Sequence, residues 1–578
     1  MSPEYKRALA LLLLGTAIVL AAGLGLRDPW PADEPRFALI ARDMAESGSW
    51  LIPDIGGVPY PDKPPLHFWL VAALYAITGS LRVSFLLPAF AGGIAIILLV
   101  ADLGRRLWDE KSGIWSGAVL LTMLQFPLQM KSGQLDGPVC VWTTLSLYGF
   151  CRHLLLGPDW RWYAVGGLAA GLGIITKGVG FLPYLVFLPL ILAVRGGWSP
   201  PPFAGRDWRW MLAPALTLLA VSTWLVPMLL ATSDTADPAL QAYRDNILFH
   251  QTITRYTDAW GHIKPPWYLW TNAMPWLWLP ATLALPWLLP AWWRDLNARR
   301  NTPLLLLGGW VLLVLLFFSF STGKRSVYIF PAAPAFALIV GAYARQLEAR
   351  SIVRRLARVF PVVLGGLLIA AGLYGLRNPD AIEQYLPNVA AIVRSMIAVV
   401  GIGLAVIVVA VLPGRRRPFI GLAAANAVAW IGAGLLVAPA IDGLRSGRDL
   451  VHSAEALVGP GQELALVDWP EQFLLQAQRP VFHFGFRRDP DEELEDAFAW
   501  LRGGPNRRVL VSSDRAGDCV AGRDHVDVGR AHRRDWWLID SRSVAPACLD
   551  SAPARPGELH RYVRPGRESR GSGPDAAR

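Results

Sequence analysis

Charge is scarce in this chain: 17% of its 578 residues are Asp, Glu, Lys or Arg, against about 25% in an ordinary soluble protein. Cysteine is scarce as well, and four of them are too few for a disulfide framework. No internal repeat is present, and the two halves of the apolar region do not mirror each other, so the repeated-half signature of many transporters is missing. Lysine is absent from residues 441–578. What is abundant is apolar. Hydrophobic residues make up 53% and aromatic ones 11%, with a mean hydropathy of +0.35. That excludes intrinsic disorder, which needs low hydrophobicity. It also argues against the roughly four soluble domains that length alone would suggest, because separate small cores could not hide so much apolar surface. The sequence is that of an integral membrane protein.

The charge is unevenly divided. Residues 1–440 carry 35 Lys+Arg against 22 Asp+Glu (+13), and residues 441–578 carry 20 Arg against 22 Asp+Glu (−2), which together give the net +11. The basic excess thus lies in the apolar part, as cytoplasmic anchoring of membrane spans produces, so it is not read as nucleic-acid binding. A span needs about 20 mostly apolar residues. Candidates are 7–26, 83–102, 112–130, 138–156, 160–176, 179–194, 210–231, 267–291, 303–320, 327–344, 359–375, 393–412 and 418–438. Pro65–Gly79 is apolar but too short to cross comfortably. With that stretch left out and the N-terminus inside, every strongly basic short loop falls on the inner face: Arg105–Lys111, Arg206–Arg209, Arg294–Arg300, Arg350–Arg358 and Arg415–Arg417. The thirteen-span reading places 27–82 and 441–578 outside. Residues 7–26 read as a retained span, because Arg27-Asp28-Pro29-Trp30 offers no small-residue cleavage site.

The expected fold is therefore a polytopic α-helical membrane protein over residues 1–440, with about 13 transmembrane helices and a C-terminal soluble α/β domain over 441–554. Within that domain Glu463–Asp468, Val481–Phe486 and Arg508–Ser513 read as strands and Asp491–Leu501 as a helix. Residues 555–578, rich in Arg, Gly, Ser and Pro, read as a disordered tail. Cys519 and Cys548 are the cysteines of the outer domain. In an oxidising compartment they can bridge, closing a loop of about 30 residues; two free thiols are the alternative reading.

The informative residues are the charges this topology leaves outside. Residues 34–46 have helical spacing, with Phe37, Ile40, Ala41 and Met44 on one face, which predicts an amphipathic helix lying at the membrane interface. Asp33-Glu34 stands at its head before Pro35, where a helix cap alone would explain a carboxylate. Further along, Asp136, Lys177, His262, Lys264, Lys324, Arg325 and Tyr328 fall in short outer turns. Each alone could be a snorkelling anchor. Lysines gathered with aspartates at one membrane depth instead suggest a site for an anionic headgroup with an acid or base beside it.

Three segments of the first outer loop form one pattern: Asp33-Glu34-Pro35-Arg36-Phe37, Met44-Ala45-Glu46-Ser47-Gly48-Ser49-Trp50, and Gly57-Val58-Pro59-Tyr60-Pro61-Asp62-Lys63-Pro64-Pro65-Leu66. It resembles the first periplasmic loop of the bacterial ArnT-like glycosyltransferases, kin of the protein O-mannosyltransferases in the GT-C class. The resemblance continues in order through Leu135-Asp136, Thr176-Lys177-Gly178, Pro266-Trp267-Tyr268, Gly323-Lys324-Arg325 and Tyr328. It implies an enzyme of the bacterial inner membrane, with a cytoplasmic N-terminus and a periplasmic C-terminal domain. Such an enzyme takes a sugar from a polyprenyl-phosphate carrier and gives it to lipid A or another envelope acceptor, aminoarabinose transfer being the type reaction. It also implies roles. Asp33 and Asp136 match catalytic or cavity carboxylates. Lys63 matches the carrier-phosphate ligand, with Glu34, Arg36, Tyr60, Lys177, Lys324 and Tyr328 as substrate-binding positions. Asp62 and His262 match a pair that can hold a divalent metal, the one cofactor implied. The chain departs from the family with Phe37 where Tyr is usual and Asp62 where Glu is usual.

The chemistry asks for these residue types independently. Displacing a polyprenyl phosphate from an anomeric carbon needs cations to stabilise the leaving phosphate as its charge grows. One carboxylate suffices as general base for single-step inversion onto a hydroxyl acceptor, whereas an already ionised phosphate acceptor needs mainly orientation. The competing readings are a protein O-mannosyltransferase-like enzyme and a lipid or polysaccharide flippase. The partners expected are the lipid-linked donor, the acceptor and membrane lipids, the chain acting as a monomer without nucleic acid.

Overall fold

The computed structural model describes residues 1–198, 207–233, 235–249, 263–299, 301–379, 382, 388–412, 414, 417–520, 522 and 524–565. Helices dominate, and each of the thirteen apolar stretches coincides with a helix or with helical segments in series. Among the described residues six helical runs are long and apolar enough to cross a membrane: Leu81–Leu107, Trp208–Ser233, Thr302–Phe320, Ser351–Arg377, Val389–Val411 and Pro418–Leu457. Leu66–Thr78, Val179–Arg195 and Ser326–Gly341 are shorter apolar helices. Pro65–Gly79, read as too short to cross, is a helix of 13 residues (Leu66–Thr78). The main apolar core runs between the helical segments from Leu20 to Tyr343. The result is a polytopic membrane protein.

The charged turns segregate by end. At one end Ser2 donates to Glu110, Lys111 meets Glu348 and Arg345 meets Asp109. At the other end the loop after the first helix meets Lys131, Gly133 and Arg325, while Asp136 meets Lys177 and Lys324 meets the Lys264 carbonyl. The basic turn at 109–111 thus lies with the N-terminus and residues 345–348, and the outer turns contact one another.

Residues 463–562 build a six-stranded sheet. Its strands follow a small hairpin in the first loop, β1 (Asp54–Ile55) and β2 (Val58–Pro59). They are β3 (Glu463–Leu466), β4 (Val481–His483), β5 (Arg507–Ser512), β6 (Val526–Ala531), β7 (Arg534–Ile539) and β8 (His560–Tyr562), in the spatial order β6-β7-β5-β3-β4-β8. The three central strands are parallel and the flanking pairs antiparallel. The three strands and the helix expected here are present within a few residues of their expected limits, the helix at Pro490–Arg502. Cys519 and Cys548 are bridged, with Cα atoms 5.9 Å apart.

Three expectations are corrected. The tail does not begin at 555: β8 pairs with β4 in register Val481 to Tyr562, and Arg564 reaches Glu46. Alternating polar and apolar residues over so short a stretch gave too weak a periodicity to mark a strand. The boundary at 440 falls within a helical run; the chain turns at Gly447, whose φ of +71° suits glycine. Finally, the helix Glu34–Ser47 is not half-exposed at an interface, because every residue from Phe37 to Met44 is buried. Its apolar face packs with Phe68 and Val71 of the next helix, and the same core continues into Leu450, Phe473 and Leu474 of the C-terminal region. A helix sandwiched between two bodies buries its polar face too, which one-sided amphipathicity could not reveal.

Candidate active site

The site is set by how the loop helix Glu34–Ser47 is held. At its head, Glu34 is buried; it takes both guanidinium nitrogens of Arg27, and the Trp30 and Gly133 amides donate to it at 2.8 and 2.9 Å. With so many donors enclosed around it, Glu34 anchors the loop and is not a substrate ligand. Asp28 extends this anchor, accepting from Arg82 at 2.6 Å and Arg448 at 2.8 Å, while Asp442 accepts from the Asp28 amide at 2.8 Å and the Trp30 indole at 3.0 Å.

From its first turn to its last, the helix is gripped by the C-terminal region. Arg36 donates to Glu471 at 2.7 Å. Arg42 donates to the Leu475 carbonyl at 2.9 Å, and the Tyr562 hydroxyl donates to Asp43 at 2.9 Å. Glu46 accepts from Arg564 and, at 2.8 Å, from Tyr75. Burial raises the Glu46 carboxyl, yet Arg564 and Tyr75 outweigh it and hold the group below its ordinary value.

Asp33, the residue just before Glu34, is left facing the neighbouring turns. It occupies the cap position, yet its side chain makes no capping hydrogen bond. It accepts instead from both terminal nitrogens of Arg325 at 3.3 Å, with Arg36 at 3.8 Å. The cap explanation of this carboxylate is therefore not the one its side chain follows. Asp136 begins the helix Asp136–Leu155 and pairs with Lys177, the last residue of the helix Trp160–Lys177. The Lys177 ammonium also lies 5.4 Å from the centre of the Tyr328 ring. Three sequence-distant segments thus meet at a carboxylate–ammonium–aromatic cluster, beside the Asp33–Arg325 pair.

Other expected residues take different places. Lys324 is buried, and its ammonium is occupied by the carbonyls of Ser321 and Lys264; its neighbour Arg325 is the one that reaches Asp33. The Gly-Lys-Arg turn named both residues, but only the fold decides which points inward. Tyr60 is buried to 1% exposure, near Arg36, Phe68 and Phe486, so it packs within the loop and supports it. Lys63 donates to the Asp62 carbonyl at 2.7 Å, and Asp62 accepts from Arg487 of the C-terminal region at 2.7 Å. Burial works against ionisation of Asp62, but Lys63 and Arg487 together hold its carboxyl below the ordinary value. His262, the other half of the metal pair, lies outside the described residues. Among the described residues no group of three or more His, Cys, Asp or Glu side chains is arranged to hold a metal. The C-terminal residues Glu471, Arg487, Tyr562 and Arg564 escaped sequence reading because no local motif marks them.

The comparisons bear on this arrangement. The family model described as dolichyl-phosphate-mannose-protein mannosyltransferase matches residues 62–226. Curated relatives named undecaprenyl phosphate-alpha-4-amino-4-deoxy-L-arabinose arabinosyl transferase include one from Pseudomonas aeruginosa, 30% identical over 354 residues, 58% of this chain and 59% of its own length. Another, from Pseudomonas paraeruginosa, is 30% identical over 400 residues, 66% of this chain and 68% of its own. The chain thus aligns with about 59% of the length of the first of these relatives. The crystal structure of ArnT from Cupriavidus metallidurans bound to undecaprenyl phosphate shares the fold, with a TM-score of 0.69 at 19% identity over 93% of this chain and 99% of that one. The apolar helices and these relatives make it a multi-pass protein of the bacterial inner membrane, and the chain belongs to the ArnT-like family of GT-C glycosyltransferases.

Proposed function

We propose that this chain is a glycosyltransferase that moves a sugar from an undecaprenyl-phosphate-type carrier to lipid A at the periplasmic face, aminoarabinose being the sugar. The observation that carries the reading is the pair Asp33–Arg325 set next to Asp136–Lys177–Tyr328 at one end of the bundle. Asp33 orients the acceptor and offsets positive charge developing at the anomeric carbon; Arg325 holds it in place. Lys63 and Lys177 stabilise the leaving phosphate. The reaction is a single displacement with inversion, in which the acceptor oxygen forms the new bond to the anomeric carbon as the bond to the carrier phosphate breaks. Thirteen crossings with the N-terminus in the cytoplasm put this end, and the C-terminal domain that grips the loop helix, in the periplasm. The relatives' printed activity and the ordered first-loop motifs support the reading. The family model's description favours a second one, a protein acceptor.

Mass spectrometry of lipid A and of envelope proteins from a deletion strain separates them. Loss of a pentosyl adduct from lipid A supports the first reading, and unchanged lipid A with altered envelope glycoproteins supports the second. The purified Asp33→Asn variant should fold and bind carrier but fail to transfer.

A further inference from the structure

The strand β4 is followed by Phe484-Gly485-Phe486-Arg487-Arg488, and its two arginines behave differently. Arg488 is tied into its own domain, donating to the Phe484 carbonyl at 3.1 Å and to Asp496 at 2.7 Å, with Glu492 at 3.0 Å. Arg487 turns the other way. Its φ of +58° puts a non-glycine residue in left-handed backbone, a strained conformation that clusters at functional positions. The guanidinium lies over the Phe486 ring, 5.0 Å from its centre, and donates through Nη1 alone to Asp62 at 2.7 Å. Its side chain is 49% exposed. A guanidinium has five N–H donors in a planar fork, so most of them remain for a ligand. Asp62 is the residue next to Lys63, whose ammonium donates to the Asp62 carbonyl and whose charge, with that of Arg487, favours the ionised Asp62 carboxylate.

We infer that Arg487 is a phosphate-binding residue contributed by the C-terminal domain, closing with Lys63 on a phosphate group of one of the two lipid substrates. Arg487 exchanges its single bond to Asp62 for paired N–H···O bonds to a phosphate, the geometry for which a planar guanidinium is suited. Asp62 holds the arginine over the loop until the anion arrives, and it remains neutralised by Lys63 afterwards. The strained backbone and the Phe486 ring fix the approach. The inference rests on the transferase reading for the identity of the two lipids, but the anion site itself does not.

The test uses full-length protein in nanodiscs with Arg487→Ala and Arg487→Lys. Two quantities are read: inhibition of transfer by undecaprenyl phosphate, and the acceptor KM. Loss of a charge-assisted, two-bond contact should weaken one of them by about tenfold to a hundredfold in Arg487→Ala, with Arg487→Lys recovering only part. Weakened undecaprenyl-phosphate inhibition assigns the site to the carrier, and a raised acceptor KM assigns it to lipid A. Both constants within twofold of the parent protein, whatever happens to thermal stability, would overturn the inference and leave Arg487 as an interdomain clip. Direct binding of undecaprenyl phosphate and of lipid A to the parent protein and Arg487→Ala is measured in parallel. If the parent transfers no sugar, the transferase reading fails; the anion site then stands if either lipid binds more weakly to Arg487→Ala and falls if neither does.

Discussion

The buried contact between the loop helix and the last strand gives a sharp energetic expectation. Arg42 and Asp43 are 3% and 4% exposed, and the Tyr562 hydroxyl that joins them belongs to a residue 6% exposed. Arg42 donates to Asp43 at 3.1 Å and to the Leu475 carbonyl at 2.9 Å, and Tyr562 donates to Asp43 at 2.9 Å. Asp43→Ala removes the one anion in the group and leaves a buried guanidinium with neutral partners, at a cost of about 3–5 kcal/mol. Tyr562→Phe removes only the hydroxyl while Arg42 and Asp43 still face each other, at a cost of about 1–3 kcal/mol. Because the three share one network, the double variant should lose less than the two costs summed. Thermal unfolding of the full-length protein in nanodiscs gives the ranking, and amide hydrogen exchange over residues 34–47 shows where the loss falls. Asp43→Ala should destabilise strongly and expose the helix that carries Asp33, with transfer falling in step. If Asp43→Ala unfolds like the parent and exchange over 34–47 is unchanged, water reaches this group and the C-terminal region does not hold the helix.

Asp33→Asn should lower turnover by about a hundredfold or more with little change in melting, because its pairing with the one-third-exposed Arg325 is worth about 1 kcal/mol or less; near-parental turnover of the purified variant removes Asp33 from the mechanism. Lys177→Met strips Asp136, 10% exposed, of its cation, and both expression and transfer should fall, with Lys177→Arg recovering part of each. Glu493 is buried and its carboxyl is raised to about 7 by desolvation. Its folded value lies above the unfolded one, so its contribution is complete below about pH 4.5 and is lost as pH rises through 7; Glu493→Gln should flatten that part of the stability profile, and an unchanged profile would show Glu493 to be solvated. For orientation, a periplasm-dependent reporter fused after Asp442 should be active and one after Arg416 inactive, the reverse pair overturning the thirteen-crossing arrangement.

Composition and loop charge were enough to identify a membrane protein, to pick out thirteen helical stretches and to decide which turns share an end. Those properties follow from summed transfer energies and from charge counts, which are additive along a chain. The first-loop motifs likewise named Asp33 and Lys63, and the later motifs of the resemblance Asp136, Lys177 and Tyr328. Tertiary structure decided what each charge meets. It turned Glu34 and Lys324 inward as anchors and chose Arg325 over Lys324 as the partner of Asp33. It brought Glu471, Arg487, Tyr562 and Arg564 across several hundred residues onto the loop helix and its neighbours. A salt bridge between residues so far apart leaves no local periodicity or spacing behind; it exists only because two bodies bury a shared apolar face and must then pair the charges trapped beside it.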